Sequence, residues 1–585
     1  MSNLVGINDS SQPTSAIESQ PPPGLQILEY SSVLEQDRHS LDAWGKVLQR
    51  VIKAIVTIKV NTLRTFDTHG AGRFEGTGFV VDRTRGLILS NRHVVTQGPV
   101  IATATFGNYE EINLQQSYFD PVHDFGFFRY DPNSVKFAEV EEIELYPEGA
   151  RVGLDIKVCG NDAGEKLSIL SATLARLDRS APSYGFGYND FNVNYFQAAS
   201  GTTHGSSGSP VLDVQGRAIA LNAGASSGSA TGFYLPLEPI VRALRYIQKG
   251  ERVPRGTVQT IFLHTPYDEL KRLGFPEEIE KICRERNRQG TGLLTARRVL
   301  PEGPGYMGGL EPGDALISCS NQEFGERSAD DFHRLWEVID GSVDKDITLT
   351  VYRGGERKSL VVHVQDLHSI TPNSFLEIGD GIYHTFSYQL AMSYYMPCRG
   401  VFAAVPGMFS WMGASSIITQ VAGKPITSLQ DLEETLLTLP DRSRVGFRYH
   451  LLGGRDQLYG IVDIDHHFYP CAKFCRDATS SWHRQLLSPV VITPQTSKLN
   501  RAVTLNVLDE NRMEILRNVL FMVKCLIPYT VDVSLLTVYH LIPGYNGPDG
   551  HGRCRNAGCN QPKAADCYLA SCSSDVCLRY LHYNR

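Results

Sequence analysis

Gly205-Ser206-Ser207-Gly208-Ser209-Pro210 is the most informative stretch of this 585-residue chain. A serine that acts as a nucleophile needs its Oγ on a tight turn, where backbone N–H groups converge on the oxyanion that forms. Glycines at 205 and 208 permit such a turn, since residues with a side chain resist the required dihedral angles. The segment predicts Ser207 as a nucleophile, with an oxyanion hole made by the N–H groups of Gly205 and Ser207. Taken alone, it fits a Ser- and Gly-rich loop equally well.

Two residues upstream of this turn complete the pattern of a catalytic triad. His93 lies at the end of the strand-like run 87–95, and Asp124 directly precedes an apolar run. The order His, Asp, Ser is that of chymotrypsin-type enzymes, whereas other serine hydrolase folds use different orders. We expect Asp124 to hold the imidazole in the useful tautomer and His93 to accept the proton of Ser207. Each residue alone would more often be structural; together and in this order they predict a serine peptidase.

The composition is that of a folded protein with many turns. The chain is 42% hydrophobic and 20% charged, and it contains 53 Gly and 30 Pro, which favours β-rich modules. The net charge of -7 argues against nucleic acid as a partner, because no basic footprint is present. No apolar run approaches the ~18–20 residues needed to cross a bilayer. Neither nucleic acid nor a membrane is expected as a partner.

The first residues have the composition of a disordered leader. They are rich in Ser, Gln and Pro, as in Gln20-Pro21-Pro22-Pro23, and no Lys or Arg occurs before Arg38. The features of a secretory signal or a mitochondrial presequence are missing. We therefore expect the protein in the cytosol or the nucleus, although the leader has no basic cluster typical of nuclear import.

The pattern of turns and apolar periods divides the chain into five predicted parts. These are a disordered leader (1–37), a trypsin-like β-barrel domain (38–250), two α+β modules (251–365 and 366–465) and a last part (466–585). Each module has a turn with Gly or Pro, a short strand, a helix and a closing pair of strands. The helices are expected around 330–339 and over 428–438, and a further helix over 237–250 closes the barrel domain.

The last part contains a weak internal repeat and most of the cysteines. Residues 516–524 echo residues 48–56, which predicts the start of a second protease-like unit near residue 500. After about Val533 the sequence is irregular and holds five cysteines whose spacing does not match a zinc module. Cys471 and Cys475 behind His466-His467 match a metal site more closely, but strand residues beside a turn explain them equally well. We predict no metal and no cofactor.

The chain resembles the HtrA (DegP-type) serine proteases. The matching segments are Gly76–Asp82, Ser90–Val95, Asp124–Gly126, Gln197–Pro210 and Gly232–Pro236. Within this family it is most similar to the fungal nuclear, pro-apoptotic members, which have two protease-like halves. The resemblance covers roughly residues 38–530, so that the C-terminal half looks truncated. It implies a mainly β fold, a chymotrypsin-like double β-barrel followed by two PDZ-like modules. It also implies hydrolysis of misfolded or regulatory proteins through an acyl-enzyme, a nuclear location, and a link to apoptosis and the stress response.

Three positions depart from the family pattern. Ser206 stands where Asn is usual, Ser209 where Gly is usual, and Arg92 where a small or amide residue precedes the histidine. A serine at 209 is compatible with the turn if its backbone dihedrals are ordinary. The intact triad favours an active peptidase. The departures favour the alternative, a catalytically weak scaffold or chaperone that binds peptides through its PDZ-like modules.

The sequence before Ser207 indicates which side chains the substrate pocket accepts. Trypsin-like enzymes place an acid six residues before the nucleophile, a position that Gly201 occupies here, and no acid lies between 197 and 206. We therefore expect cleavage after small or medium apolar residues. The predicted pocket wall consists of Leu221, Asn222, Ala223 and Gly224.

The expected partners are protein substrates, peptide segments bound by the PDZ-like modules, and a second copy of the chain. An extended peptide would add to an edge strand that residues 255–275 supply in the first module. The second module, with Gly379–Ile382, is less typical and is equally well a packing module.

Overall fold

The computed structural model describes residues 44–161, 167–182, 188–199, 205–226, 231–321, 323, 325–454 and 456–487. A helix, α1, spans 44–51 and leads into a closed six-stranded barrel with strand order β1-β2-β3-β6-β5-β4. Its elements are β1 (Ile55–Thr62), β2 (Gly72–Asp82), β3 (Leu87–Ser90), α2 (Arg92–Val95), β4 (Val100–Thr105), β5 (Glu111–Phe119) and β6 (Gly126–Arg129). Alternate residues such as Ile58 and Phe79 point into the core and are fully buried. The short helix α2 lies beside the end of β3, where it carries His93.

A second closed barrel follows, with strand order β10-β11-β12-β9-β8-β7. Its strands are β7 (Asp155–Asn161), β8 (Leu167–Ser180), β9 (Asn194–Ala198), β10 (Pro210–Leu212), β11 (Ala218–Ser226) and β12 (Thr231–Pro236). The chain then forms α3 (Glu238–Lys249), which buries Ile240 and Ala243 and ends at Gly250 in the left-handed conformation. The predicted double β-barrel is confirmed, and the closing helix has the predicted bounds to within one residue at each end.

The first α+β module has a sheet with strand order β14-β15-β16-β18-β19, in which β17 pairs with β16 and β13 pairs separately with β20. Its strands are β13 (Gly256–Thr257), β14 (Thr260–Pro266), β15 (Gly292–Val299), β16 (Ala315–Asn321), β17 (Gly325–Ser328), β18 (Asp346–Arg353), β19 (Glu356–His363) and β20 (Gln365–Asp366). Its helices are α4 (Tyr267–Arg272), α5 (Glu277–Arg286), α6 (Pro304–Met307) and α7 (Phe332–Asp340). Strand β14, from the stretch predicted to supply an edge, lies at the edge of the sheet.

The second module is built on a larger sheet with strand order β27-β26-β24-β23-β22-β21-β28-β29, in which β25 pairs with β24. Its strands are β21 (Ser374–Ile378), β22 (Gly381–Thr385), β23 (Val401–Val405), β24 (Ser416–Val421), β25 (Lys424–Pro425), β26 (Arg444–Leu451), β27 (Leu458–Asp463), β28 (Cys471–Arg476) and β29 (Trp482–Leu486). Its helices are α8 (Tyr388–Tyr394) and α9 (Leu429–Thr438). Helix α9 begins with a capping box between Ser428 and Asp431, which fixes its start as the sequence predicts.

The sheet of the second module extends beyond the boundary drawn at residue 465. Strand β28 pairs with β21, and Phe474 stacks on Phe375 at a ring-centroid distance of 4.6 Å. This cross-strand aromatic pair stabilises the pairing of β28 with β21, through which β28 and β29 extend the sheet of the module. The predicted second protease-like unit and the cysteine-rich stretch lie outside the described residues. In the described part of the chain, no helix has the length and apolar character needed to span a bilayer.

Candidate active site

His93 and Asp124 form a tight pair at the rim of the first barrel. The Nδ1 atom of His93 lies 2.8 and 3.0 Å from the two carboxylate oxygens of Asp124, and the His93 backbone N–H donates to Oδ1 at 3.1 Å. The side-chain amide of Asn91 donates to the Asp124 carbonyl at 2.9 Å. Since a carboxylate only accepts hydrogen bonds, Nδ1 carries the proton and Nε2 has the lone pair that a general base needs.

The surroundings of the pair favour a charged imidazole. Burial by itself lowers the pKa of His93, but the negative charge of Asp124 and its hydrogen bond outweigh burial and raise the pKa above its usual value. Asp124 is fully buried, whereas the side chain of His93 remains 31% exposed. The site therefore stabilises the imidazolium that forms when His93 accepts a proton, and it leaves the ring accessible.

The turn that carries Ser207 depends on its two glycines and on one residue of the first barrel. Gly205 and Gly208 have φ angles of 97° and 87°, which residues with a side chain rarely adopt. The N–H of Thr77 donates to the Ser207 carbonyl at 2.8 Å, and the Thr77 hydroxyl donates to the Gly205 carbonyl at 2.9 Å. Thr77 lies on β2, so these bonds hold the Ser207 turn of the second barrel against the first barrel.

The two unusual serines fit the turn without strain. Neither Ser206 nor Ser209 has a positive φ. The Ser209 hydroxyl donates to the Ser206 carbonyl at 2.6 Å, and the side-chain amide of Asn222 donates to the same oxygen at 2.7 Å. Gly160 leaves room for Ser209, because a Cβ on Gly160 would lie 1.8 Å from the Ser209 hydroxyl oxygen. The condition set for a serine at 209, ordinary backbone dihedrals, is met.

The backbone donors of the predicted oxyanion hole are available. Among the described residues, the N–H groups of Gly205 and Ser207 donate no hydrogen bond, whereas those of Gly208 and Ser209 are used within the turn. Two free N–H groups on either side of a turn are what a developing oxyanion requires.

Arg92, the third departure, has a packing role. Its side chain is 1% exposed, and its guanidinium lies 4.2 Å from the centre of the Tyr188 ring. It donates to the side-chain oxygen of Gln97 at 3.1 Å and lies 3.8 Å from a carboxylate oxygen of Asp67. The buried acid compensates the buried cation, which explains why an arginine is tolerated beside His93.

The first α+β module contacts the loop that leads to Asp124. Buried Arg255 donates to Asp120 at 3.1 Å and to Asp340 of α7 at 2.9 Å. Burial opposes the charge of Arg255, but the two carboxylates outweigh it and raise the pKa of the guanidinium further above its usual range. This bridge ties the loop at 120–124 to the module.

The predicted pocket residues differ in how far they are buried. Gly201 lies outside the described residues. Leu221 and Ala223 are buried in the hydrophobic core of the barrels, and Asn222 is fully buried under the turn that it supports. A Cβ built on Gly224 has no neighbour within 4 Å, so that Gly224 borders open space.

Thr77 and Asp190 are the two residues at this site that the sequence analysis did not single out. Thr77 lies within Gly76–Asp82, which supported the resemblance, but the stretch gave no hint of its two bonds to the turn. Asp190 accepts a hydrogen bond from the Asp124 N–H at 3.0 Å. It is a single acid before a strand, and no sequence motif marks it.

The described residues form no cluster of potential metal ligands. No group of three or more His, Cys, Asp or Glu side chains among them could hold an ion. Cys471 is buried and Cys475 is exposed, and both belong to β28. The five cysteines that follow Val533 lie outside the described residues.

Comparison with known proteins adds two domain matches. A family model described as a trypsin-like peptidase domain matches residues 76–221, a range that contains His93, Asp124 and Ser207. A second model, described as a PDZ-like domain, matches residues 369–442, within the second α+β module. The sequence analysis left this module open between peptide binding and packing.

Two named relatives agree with these matches. The chain is 44% identical over 487 residues to Protease Do-like 7 of Arabidopsis thaliana, covering 80% of this chain and 44% of that protein. It is 41% identical over 497 residues to the pro-apoptotic serine protease NMA111 of Coccidioides immitis, covering 84% of this chain and 48% of that protein. A solved structure of the HtrA-type protease AlgW with a decapeptide aligns at 19% identity and a TM-score of 0.41, covering 55% of this chain and 98% of that chain.

The chain spans about half the length of the curated relatives it matches. Over that span the resemblance to HtrA-type serine proteases is confirmed. The chain carries a trypsin-like peptidase domain and a PDZ-like domain, and it is a homologue of the Do-like and pro-apoptotic serine proteases.

Proposed function

We propose that this chain is a serine endopeptidase in which Ser207 is the nucleophile, His93 the general base and acid, and Asp124 the residue that orients His93. The observation that carries the proposal is the double contact of the His93 ring with the buried carboxylate of Asp124. Acyl transfer by a serine requires a histidine oriented by a carboxylate and a serine on a tight turn, and the chain provides both.

The mechanism follows from the positions of the protons. Ser207 Oγ attacks the carbonyl carbon of the substrate while its proton moves to Nε2 of His93. The N–H groups of Gly205 and Ser207 accommodate the oxyanion. When the tetrahedral intermediate collapses, His93 returns the proton to the leaving amine and the acyl group stays on Ser207. A water molecule, deprotonated by His93, then releases the acid product and restores the serine.

The substrate preference proposed here is for small or medium apolar residues before the cleaved bond. It rests on Gly201 at the position of the trypsin pocket acid and on the lack of an acid between 197 and 206. An uncompensated cation in such a pocket costs several kcal/mol. A peptide library should be cut after Val, Ala or Leu, and a clear preference for Arg would contradict this proposal.

Peptide binding by the PDZ-like modules is a further part of the proposal. Strand β14 lies at a sheet edge, where an extended peptide could add by backbone hydrogen bonding. The side chain of Asn192 already bonds to this edge, to the Thr260 carbonyl at 2.9 Å and to the Phe262 N–H at 2.7 Å. A peptide at this position would have to displace Asn192. A nuclear location, a role in apoptosis or stress, and self-association are proposed from the family resemblance alone.

The direct test of the proposed activity is casein cleavage by single variants. Ser207→Ala and His93→Ala should each lower the rate by about 10⁴-fold or more, with thermal unfolding nearly unchanged. Ser171→Ala, an exposed serine on β8, is the matched control and should cleave like the wild type. Full activity of Ser207→Ala would contradict the assignment, and peptide binding by an inactive wild type would support the scaffold alternative.

A further inference from the structure

Asp190 lies directly behind Asp124, outside the triad. Its Oδ2 atom accepts the Asp124 backbone N–H at 3.0 Å and the Tyr195 hydroxyl at 2.6 Å. Both aspartates are buried. Two adjacent carboxylates without water are costly when both are ionised, so one of them tends to keep its proton.

The hydrogen bonds around Asp190 show where that proton fits. The Tyr188 hydroxyl is in contact with Oδ1 of Asp190 and lies 2.8 Å from the carbonyl oxygen of Val122. A hydroxyl has one proton, and a carbonyl oxygen can only accept. If Tyr188 donates to Val122, a proton on Oδ1 of Asp190 can be donated to Tyr188, while Oδ2 continues to accept from Asp124 and Tyr195. Every polar atom in this arrangement has a suitable partner.

The charged groups around Asp190 point the same way. The groups that face it are Asp124, Tyr188 and Tyr195, and Arg92 lies on the other side of the Tyr188 ring. In the described part of the chain no Lys or Arg forms an ion pair with Asp190. Burial, and next the negative charge of Asp124, raise the pKa of Asp190 well above its usual value, which favours its protonated form. An ionised Asp190 would also raise the pKa of His93, so the pKa of His93 reports the charge of Asp190.

We propose that Asp190 is a positioning residue for Asp124: it fixes the Asp124 backbone through the N–H and holds a proton, so that Asp124 remains the ionised partner of His93. This inference rests on the proposed peptidase function, because it gives Asp190 a role only through the triad. Tyr188 and Tyr195 hold the Asp190 carboxyl in place.

The first part of the test separates positioning from general stability. Asp190→Ala leaves the buried Asp124 N–H without an acceptor and should lower kcat about 10- to 100-fold, with KM changed less than about 2-fold. Asp190→Asn has the same shape, can accept from Asp124 and donate to Tyr188, and should restore most of kcat. Asp178→Asn is the matched control, because Asp178 is 72% exposed on β8 and pairs with Arg176. It should behave like the wild type.

The second part measures the pKa of His93 directly, from the NMR shift of its isotope-labelled ring, assigned with His93→Ala. This readout does not need catalytic activity, so it distinguishes a failure of the proposed peptidase from a failure of this inference. Because Asp190 holds its proton, the neutral Asp190→Asn variant should leave the pKa of His93 unchanged, whereas Asp124→Asn, which removes a negative charge, should lower it. Asp178→Asn should also leave it unchanged.

Three results would overturn the proposal. They are wild-type kcat in Asp190→Ala, equal losses in the Ala and Asn variants, or a His93 pKa that falls in Asp190→Asn as it does in Asp124→Asn. If Asp190→Ala does not fold, Tyr195→Phe replaces it, since it keeps the ring and removes one bond to Asp190. It should lower kcat by about 3- to 10-fold, and an unchanged kcat in Tyr195→Phe contradicts the proposal equally.

Discussion

In the first barrel, side chains hold the candidate catalytic groups, whereas in the second barrel the backbone does most of this work. His93 is bound to the carboxylate of Asp124, and the side chains of Asn91 and of Asp190, which lies between β8 and β9 of the second barrel, bind the Asp124 main chain. Ser207, in contrast, depends on the positive φ angles of Gly205 and Gly208 and on carbonyl contacts with Thr77. The two halves of one site are therefore fixed by different physical means.

The difference predicts different sensitivities. Substitutions that change the charge of the His93–Asp124 pair should alter the charge and tautomer of His93, and hence the pH dependence of catalysis. Substitutions at the Ser207 turn and its contacts should displace this turn without changing any charge. Their effect on the rate should be the same at every pH. The following variants test this contrast.

The largest effect is expected for Asp124→Asn. An amide in place of the carboxylate can donate to Nδ1 of His93, which stabilises the wrong tautomer and lowers kcat by about 10⁴-fold. Removing the negative charge also lowers the pKa of His93, which Asp124 raises in the wild type. Steady-state kinetics should show the loss of kcat while the thermal unfolding temperature changes little. A decrease of less than 10-fold would contradict the role of Asp124.

A large loss of kcat is also expected for Gly208→Ala, but this loss comes from displaced backbone and not from a change of charge. The new Cβ would lie 2.0 Å from the Thr77 carbonyl oxygen and 2.4 Å from the Ser90 hydroxyl oxygen, at a φ of 87°. The turn must move, and a displaced oxyanion hole costs roughly 10²- to 10³-fold in kcat. The matched control is Gly313→Ala, at a φ of 97° but with no atom within 4 Å of its Cβ. If both variants lose activity equally, strain alone is responsible and the close contact at Gly208 is irrelevant.

A smaller effect is expected for Thr77→Val, which keeps the shape but removes the hydroxyl. This hydroxyl donates to the Gly205 carbonyl and accepts from the Asn161 N–H at 2.9 Å. The loss should lower kcat by about 10-fold, the rate equivalent of one buried hydrogen bond. Thr57→Val is the control, because Thr57 lies opposite Thr77 on β1. Equal activity of wild type and Thr77→Val would show that the first barrel does not hold the turn.

The smallest expected effect is a shift of the kcat/KM profile along the pH axis. This shift distinguishes the His93–Asp124 pair from the Ser207 turn most directly. His93 must be neutral to accept a proton, so kcat/KM of the wild type should fall as the pH drops through a value above the usual 6.5 of histidine. Gly208→Ala and Thr77→Val should keep this limb, because they change no charge. Asp124→Asn should move it to lower pH. A limb that moves equally in all three variants would contradict the contrast between the barrels.

The sequence predicted those features that local patterns encode. Ser207 stands out through its neighbouring glycines, and His93 and Asp124 through their order along the chain. Short strands separated by turns indicated a barrel-like β fold, the family resemblance implied two barrels, and the double barrel is confirmed. Helices α3, α7 and α9 could be predicted because their apolar periods and caps lie within one segment.

The support of the site could not be predicted, because it joins segments far apart in the chain. Thr77 meets Gly205 across 128 residues, and Asp190 meets Asp124 across 66 residues. Such contacts leave no local periodicity or motif. Arg92 looked like an anomaly because its partners, the Tyr188 ring and Asp67, are distant in sequence.

The central claim is covalent catalysis by Ser207, and a fluorophosphonate probe tests it most directly. The intact protein should be labelled, and peptide mass spectrometry should place the label on Ser207. Ser207→Ala should not react, and His93→Ala should react at least 100-fold more slowly, because the nucleophile loses its base. Labelling of Ser207→Ala at the wild-type rate, or of another serine in the wild type, would contradict the account.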